Sequence, residues 1–199
     1  MKKILILFII PLLNFSQEIQ YSKPDFYDVP LAQNHKNVID IYTWYDVLGK
    51  NTLIFTSKIG CGYGDENCDL RSYHYTGSGN LLWDIKDYAP DNETIELKKV
   101  KLTDLDDDGV AEISILYTLG YTKKKGKQGV KLIMHEKGKK YAIRGERWRG
   151  QGDDCGYSYS MYGKNSFEHA RLSLKSYAKN LFLKEINNLY GHYCDRYQD

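Results

Sequence analysis

Apolar and polar positions alternate through most of the middle of this chain, and the alternation gives way to a three-and-four spacing only near the C-terminus. Val38-Ile39-Asp40-Ile41-Tyr42 runs on toward Leu48, the turn-prone Gly49-Lys50-Asn51 follows, and Thr52 to Ser57 is again β-rich. That reads as a hairpin. Arg71 to Tyr75 and Leu81 to Ile85 flank the glycine-bearing connection Thr76-Gly77-Ser78-Gly79-Asn80, which predicts a second. A third joins Thr94–Leu102 to Glu112–Leu119 through an acidic loop. A fourth joins Val130–His135 to Lys140–Arg144 through Glu136-Lys137-Gly138-Lys139. Residues 18–37, with Pro24 and Pro30, read as an extended lead-in and not as a packed element.

From Asn165 the period changes. Asn165-Ser166-Phe167-Glu168 has the capping-box pattern, and Phe167, Ala170, Leu174, Tyr177, Ala178, Leu181, Phe182, Ile186 and Leu189 form one apolar stripe ending near Gly191. A helix over about 165–190 is expected, packed on the sheet. The fold class is a β-rich α+β domain, an antiparallel meander of hairpins with a C-terminal helix.

Met1-Lys2-Lys3 followed by the apolar run Ile4 to Leu13 has the form of a signal peptide, with cleavage near Ser16 or Gln17. Residues 1–17 are read as that segment and 18–199 as one β-rich domain, exported to the periplasm or beyond the cell. No transmembrane segment is expected in the mature chain. Without Lys2 and Lys3 the 28 basic residues fall to 26, matching the 26 acidic ones, so the charge offers no argument for a nucleic-acid partner. The four cysteines, Cys61, Cys68, Cys155 and Cys194, lie in the mature part, and an even count in an exported chain favours disulfides. Cys61–Cys68 and Cys155–Cys194 are the favoured pairs of three pairings. A zinc site competes, but no CxxC pair supports it.

The acidic loop Asp104-Leu105-Asp106-Asp107-Asp108-Gly109-Val110-Ala111-Glu112 carries the main chemical signal. Asp104, Asp106 and Asp108 alternate, Gly109 permits a sharp turn, Val110 can offer a carbonyl, and Glu112 returns a carboxylate at the ninth position. Calcium, which takes all-oxygen shells, is the expected ion, in a structural role. An ordinary acidic turn is the competing reading. An EF-hand is excluded, because its twelfth position here is Ile115. The nine residues resemble instead the short calcium loop of FG-GAP-type blades, although the chain is too short for a propeller.

A second concentration of charge lies around Lys123, Lys124 and Lys125 and continues to Arg147, Trp148 and Arg149. Those six residues are candidate contacts for an anionic glycan; a solvated hairpin tip is the plain alternative. Tyr157, Tyr159 and Tyr162 in the Gly/Ser-rich stretch from Gly150 to Gly163 add aromatic faces of the kind that stack on sugars. No catalytic set declares itself in the sequence: the five histidines lack HExxH spacing, and there is no GxSxG elbow, phosphate loop or dinucleotide fingerprint. His135-Glu136 is disfavoured as an acid–base pair because neighbouring strand residues point to opposite faces.

Val100 to Gly109 with Glu112, then Val130 to Glu136 through Lys140 to Gly145, resemble a family of small exported bacterial proteins associated with surface polysaccharide biosynthesis. The likeness covers about a quarter of the chain; the lysine-rich 120–129 segment adds nothing to it, and the family commonly has Gly where Asp107 stands. The resemblance implies a pathway and not a reaction, and the first expectation is a non-catalytic protein that supports assembly or display of a surface glycan, with the glycan or a glycan-assembly protein as partner. A glycan-modifying enzyme using Glu146 with Asp153 or Asp154 would require a carboxylate pair at glycosidase separation. A protein-binding module or inhibitor would require an exposed apolar patch.

Overall fold

A computed structural model describes residues 17–60, 67–89, 94–122, 127–149 and 155–194. Eleven strands appear among them: β1 (Gln17–Glu18), β2 (Tyr21–Ser22), β3 (Val38–Asp46), β4 (Gly49–Thr56), β5 (Asp69–Thr76), β6 (Leu81–Tyr88), β7 (Ile95–Asp104), β8 (Glu112–Thr122), β9 (Lys127–Glu136), β10 (Lys139–Arg149) and β11 (Cys155–Ser160). One helix, α1 (Leu172–Cys194), follows. All strand pairs are antiparallel, and the meander divides into two sheets, β2-β3-β4-β5-β6 and β1-β7-β8-β9-β10-β11.

The alternation explains the layering. Tyr42, Trp44, Leu53, Phe55, Leu70 and Ile85 of the five-stranded sheet meet Val100, Leu102, Ile113, Ile115, Tyr117 and Ile133 of the six-stranded sheet in one buried core. The opposite face of the six-stranded sheet presents Leu116, Val130, Leu132, Met134 and Ile143 to Leu174, Ala178, Phe182 and Ile186 of α1. The result is three layers, sheet, sheet and helix. A side chain at Gly145 would meet the Ser158 carbonyl at 2.6 Å and the Phe182 ring at 2.8 Å, so this glycine sets the approach of β11 and α1 to β10.

Three boundaries differ from the sequence reading. The first hairpin turns at Val47-Leu48, with Asp46 opposite Gly49, so Gly49-Lys50-Asn51 is strand. Gly49, at φ 93°, supplies the left-handed conformation at the turn exit. The helix begins at Leu172 and continues past Gly191 to Cys194. Asn165 is left-handed at φ 61°, its carbonyl accepts the Ala142 N–H, and the Glu168 N–H bonds to Ser166 Oγ; the capping-box residues form a turn docked on β10. Buried Phe167, stacked on Tyr141 at 5.1 Å, fixes that turn.

The lead-in is also more ordered than expected. Its β1 pairs with β7 and its β2 with β3, so it links the two sheets; Val29 and Ala32, beside two single-turn 3-10 helices, pack on Ile41 and Ile54. β11, in the Gly/Ser-rich tyrosine stretch, carried no strand signal beyond its aromatics, and tertiary pairing with β10 creates it. The leader 1–16 lies outside the described residues. No described helix is long and apolar enough to cross a membrane.

Candidate functional site

The acidic loop bridges β7 and β8, and its own carboxylates fold it. Asp104 Oδ1 accepts the Asp108 N–H at 3.2 Å and Oδ2 the Gly109 N–H at 2.9 Å; Asp108 Oδ1 accepts the Val110 N–H at 2.8 Å. Glu112 Oε2 accepts the Leu105 N–H at 2.7 Å across the base of the loop. Asp107 and Gly109, at φ 55° and 78°, provide the left-handed steps that curl the chain.

The other layers hold the loop in place. The Val47 N–H donates to the Gly109 carbonyl at 3.0 Å, and Asp46 Oδ2 receives the Ala111 N–H at 3.3 Å and Trp44 Nε1 at 3.2 Å. The first hairpin of the five-stranded sheet therefore clamps the loop from one side. On the other side lie Lys137, in the β9–β10 turn, and Arg171, the residue just before α1.

Carboxylate oxygens of Asp104, Asp106 and Asp108 lie within 4.8 Å of one another, and so do those of Asp106, Glu112 and Glu136. The structure thus divides the expected ligand set between two triads sharing Asp106. It adds Glu136 and groups Glu112 with Asp106 and Glu136. Lys137 pairs with Asp106 at 3.0 Å and with Asp108 at 2.5 Å. Arg171 enters the second triad: Nη1 is 2.9 Å from Asp106, Nη2 pairs with Glu112 at 3.3 Å and also with Glu136, and Nε donates to Glu136 at 2.8 Å.

Five carboxylates face two cations here. Burial, with a contribution from Asp106 and Asp104, pushes the Glu112 carboxyl up to about 7 against the opposing pull of the Leu105 N–H and Arg171. Lys137 holds Asp108 below its ordinary value. Asp106 Oδ1 is buried and has no hydrogen-bond partner among the described residues. Hard oxygen donors in this number suit a Ca²⁺-class ion at Asp104, Asp106 and Asp108, whose most exposed counter-ion is Lys137.

The basic candidates sit elsewhere. Lys123, Lys124 and Lys125 lie outside the described residues. Arg147 Nε donates to Gln128 Oε1 at 2.6 Å, Lys127 stands 5.9 Å over the Trp148 ring, and the backbone of Arg149 is opposite Cys155. These positions belong to the end of the six-stranded sheet opposite the acidic loop, separated from it by the eleven residues of β8, about 35 Å of strand. Loop and basic hairpin do not form one composite site.

Glu146 pairs with Lys127 at 3.6 Å, and Asp153 and Asp154 lie outside the described residues. His135 and Glu136 face opposite sides of β9: His135 stacks on Trp83 at 3.8 Å between the sheets, while Glu136 meets Arg171 under the helix. Cys68 is disulfide-bonded, and no described cysteine is free. Cys61 and the side chains of Cys155 and Cys194 lie outside the description, so the pairing stays an expectation.

Sequence reasoning missed Asp46, Glu136, Lys137 and Arg171. A signal existed for Arg171, since a cation at a helix start opposes the helix dipole and calls for nearby anions; placing the helix start at Asn165 concealed it. No protein-family model, curated protein or solved structure matches the chain.

Proposed function

We propose that the protein is a non-catalytic exported module, braced by one calcium ion in the 104–112 loop, that acts in the assembly or display of an anionic surface polysaccharide. The observation that carries the metal is the Asp104/Asp106/Asp108 oxygen triad with the unpartnered Asp106 Oδ1 beside it. Asp104, Asp106 and Asp108 are the ligands in this reading, and exposed Lys137 is the group displaced. The ion's role is structural, because the loop ties together the first hairpin, both sheets and the start of α1. The Cys68 disulfide supports an oxidising compartment. The polysaccharide pathway comes from the sequence resemblance of 100–112 and 130–145.

Thermal melts in chelator and in calcium test the metal. With a dissociation constant a hundredfold below the free calcium, the ion adds about 2.7 kcal/mol, and Asp106→Asn abolishes that gain, leaving its melting temperature the same in calcium and in chelator. An equal melting temperature in calcium and chelator for the unsubstituted protein refutes the metal. The surface-polysaccharide profile of a deletion strain tests the pathway: a shortened or missing ladder, restored by complementation, is expected, and an unchanged ladder rejects it.

A further inference from the structure

A cleft of about 300 Å³ opens on the outer face of the five-stranded sheet, at the end away from the acidic loop, with Asn34, His35, Lys36, Lys58, Arg71 and Tyr73 in its wall. Exposed Lys36 and Lys58 have no ion-pair partner among the described residues, whereas Lys23, Lys99, Lys101 and Lys131 each hold a carboxylate. Asp69, the carboxylate in the wall, is buried and engaged by the Lys58 N–H at 2.5 Å and Arg71 Nε at 2.9 Å. Among the described residues, three cations against one committed carboxylate leave the cleft positive.

Its remaining groups suit a polyhydroxylated ring. His35 lies 4.4 Å from the Tyr73 ring and its Nε2 is 2.9 Å from Tyr75 Oη, so the aromatic wall is held in place before any ligand arrives. Burial lowers the His35 pKa, so the imidazole is neutral at pH 7 and bonds to a hydroxyl as donor or acceptor. Asn34 and Asn37 line the same opening. The volume is at the small end of the usual range for small-molecule sites, roughly 300–1,000 Å³, and fits one or two sugar rings.

We propose that this cleft binds an acidic sugar residue of the uronate class, its carboxylate among Lys36, Lys58 and Arg71 and its ring against His35 and Tyr73. The proposal rests on the anionic-glycan reading and moves the contact from the basic segment of the six-stranded sheet to the outer face of the five-stranded one. Attraction to exposed lysines weakens with salt, so retention on the glycan falls as ionic strength rises.

The test uses the whole mature protein, titrated with glucuronate, glucose and inorganic phosphate by NMR and passed over a polyglucuronate column. Saturable millimolar glucuronate binding is expected, weakened at least tenfold in Lys36→Gln/Lys58→Gln with the melting temperature unchanged. Neutralising Lys123, Lys124 and Lys125 together leaves it intact. Unaltered glucuronate binding in the double variant, or no binding at all, overturns the cleft, and phosphate binding as tight as glucuronate reduces it to a general anion site and refutes the sugar. Column retention that survives the double variant but is lost in the triple variant rejects the cleft and leaves the glycan reading standing. If the unsubstituted protein is not retained, the glycan reading falls and the glucuronate titration alone decides the cleft.

Discussion

Replacing Arg171 with Gln should destabilise the protein substantially, and by an amount that calcium reduces. Its guanidinium reaches Asp106, Glu112 and Glu136, whose side chains are 15%, 2% and 9% exposed. Removing one partner of a buried ion pair costs about 3–5 kcal/mol, because the remaining charge stays buried and unpaired. Two features lower that figure: the Arg171 side chain is itself 37% exposed, and Lys137 still neutralises part of Asp106. A loss of about 2–3 kcal/mol is expected in chelator, a fall in Tm of roughly 5–10 °C for a chain of this size. Urea unfolding in chelator and in calcium measures it. Because an ion at Asp104, Asp106 and Asp108 restores positive charge to the carboxylate that both triads share, calcium should recover part of the loss. Arg171→Gln combined with Glu136→Gln should be less destabilising than the sum of the two, with a coupling of about 1–3 kcal/mol. A loss below about 0.5 kcal/mol for Arg171→Gln in chelator refutes the electrostatic reasoning; an equal loss with and without calcium refutes the link to the metal.

Burial holds His74 down to about 4. Between pH 6.5 and 4 the unfolded chain therefore takes up a proton that the folded one refuses, and stability falls as pH falls. The expected contribution is about 3 kcal/mol across that window. It should vanish from the pH dependence of urea unfolding in His74→Gln, and an unchanged acid slope contradicts it. Gly145→Ala places a methyl 2.6 Å from a backbone carbonyl and 2.8 Å from the Phe182 ring, and should cost about 1–3 kcal/mol by thermal unfolding. Gly109→Ala would bring a methyl 2.4 Å from Cγ1 of β-branched Val47 and hold alanine at φ 78°, so the clash adds to a backbone cost of about 1–2 kcal/mol. It should also weaken calcium binding by calorimetry, since the Gly109 N–H orients Asp104. Unchanged affinity would separate loop shape from the metal.

What could be read from the sequence followed the range of the forces involved. The four hairpins and the helix stripe rest on period-two and period-3.6 patterns that each segment carries within itself, and Leu174, Ala178, Phe182 and Ile186 are buried as that stripe requires. The division of the strands into two sheets could not be read, because both faces of β8 and β9 are apolar: Ile113 and Ile115 face one core, Leu116 another, and a central sheet between two layers shows weak alternation. Helix onset depended on a competition no local motif decides. Asn165 and Ser166 satisfy backbone groups equally well in a docked turn, and burial of Phe167 selects that turn.

The loop shows the same limit from the chemical side. Its own residues announce oxygen ligands, yet the groups that set its charge, Glu136, Lys137 and Arg171, are 24 or more residues beyond Glu112 and reach it only through sheet order and helix packing. That arrangement constrains the ion's role. Arg171 already serves the buried triad and is tied to the first turn of α1, so an arriving cation meets least resistance at the outer triad, where Arg171 reaches Asp106 alone and the other competing cation is a lysine tip half open to solvent. Ion binding there should tighten the loop against Val47 and Asp46 without moving α1. Hydrogen exchange on calcium addition should therefore slow at Val47, Gly109 and Ala111 and stay constant along Leu174–Ile186, and slowing spread along the helix would place the ion in the Arg171 triad instead.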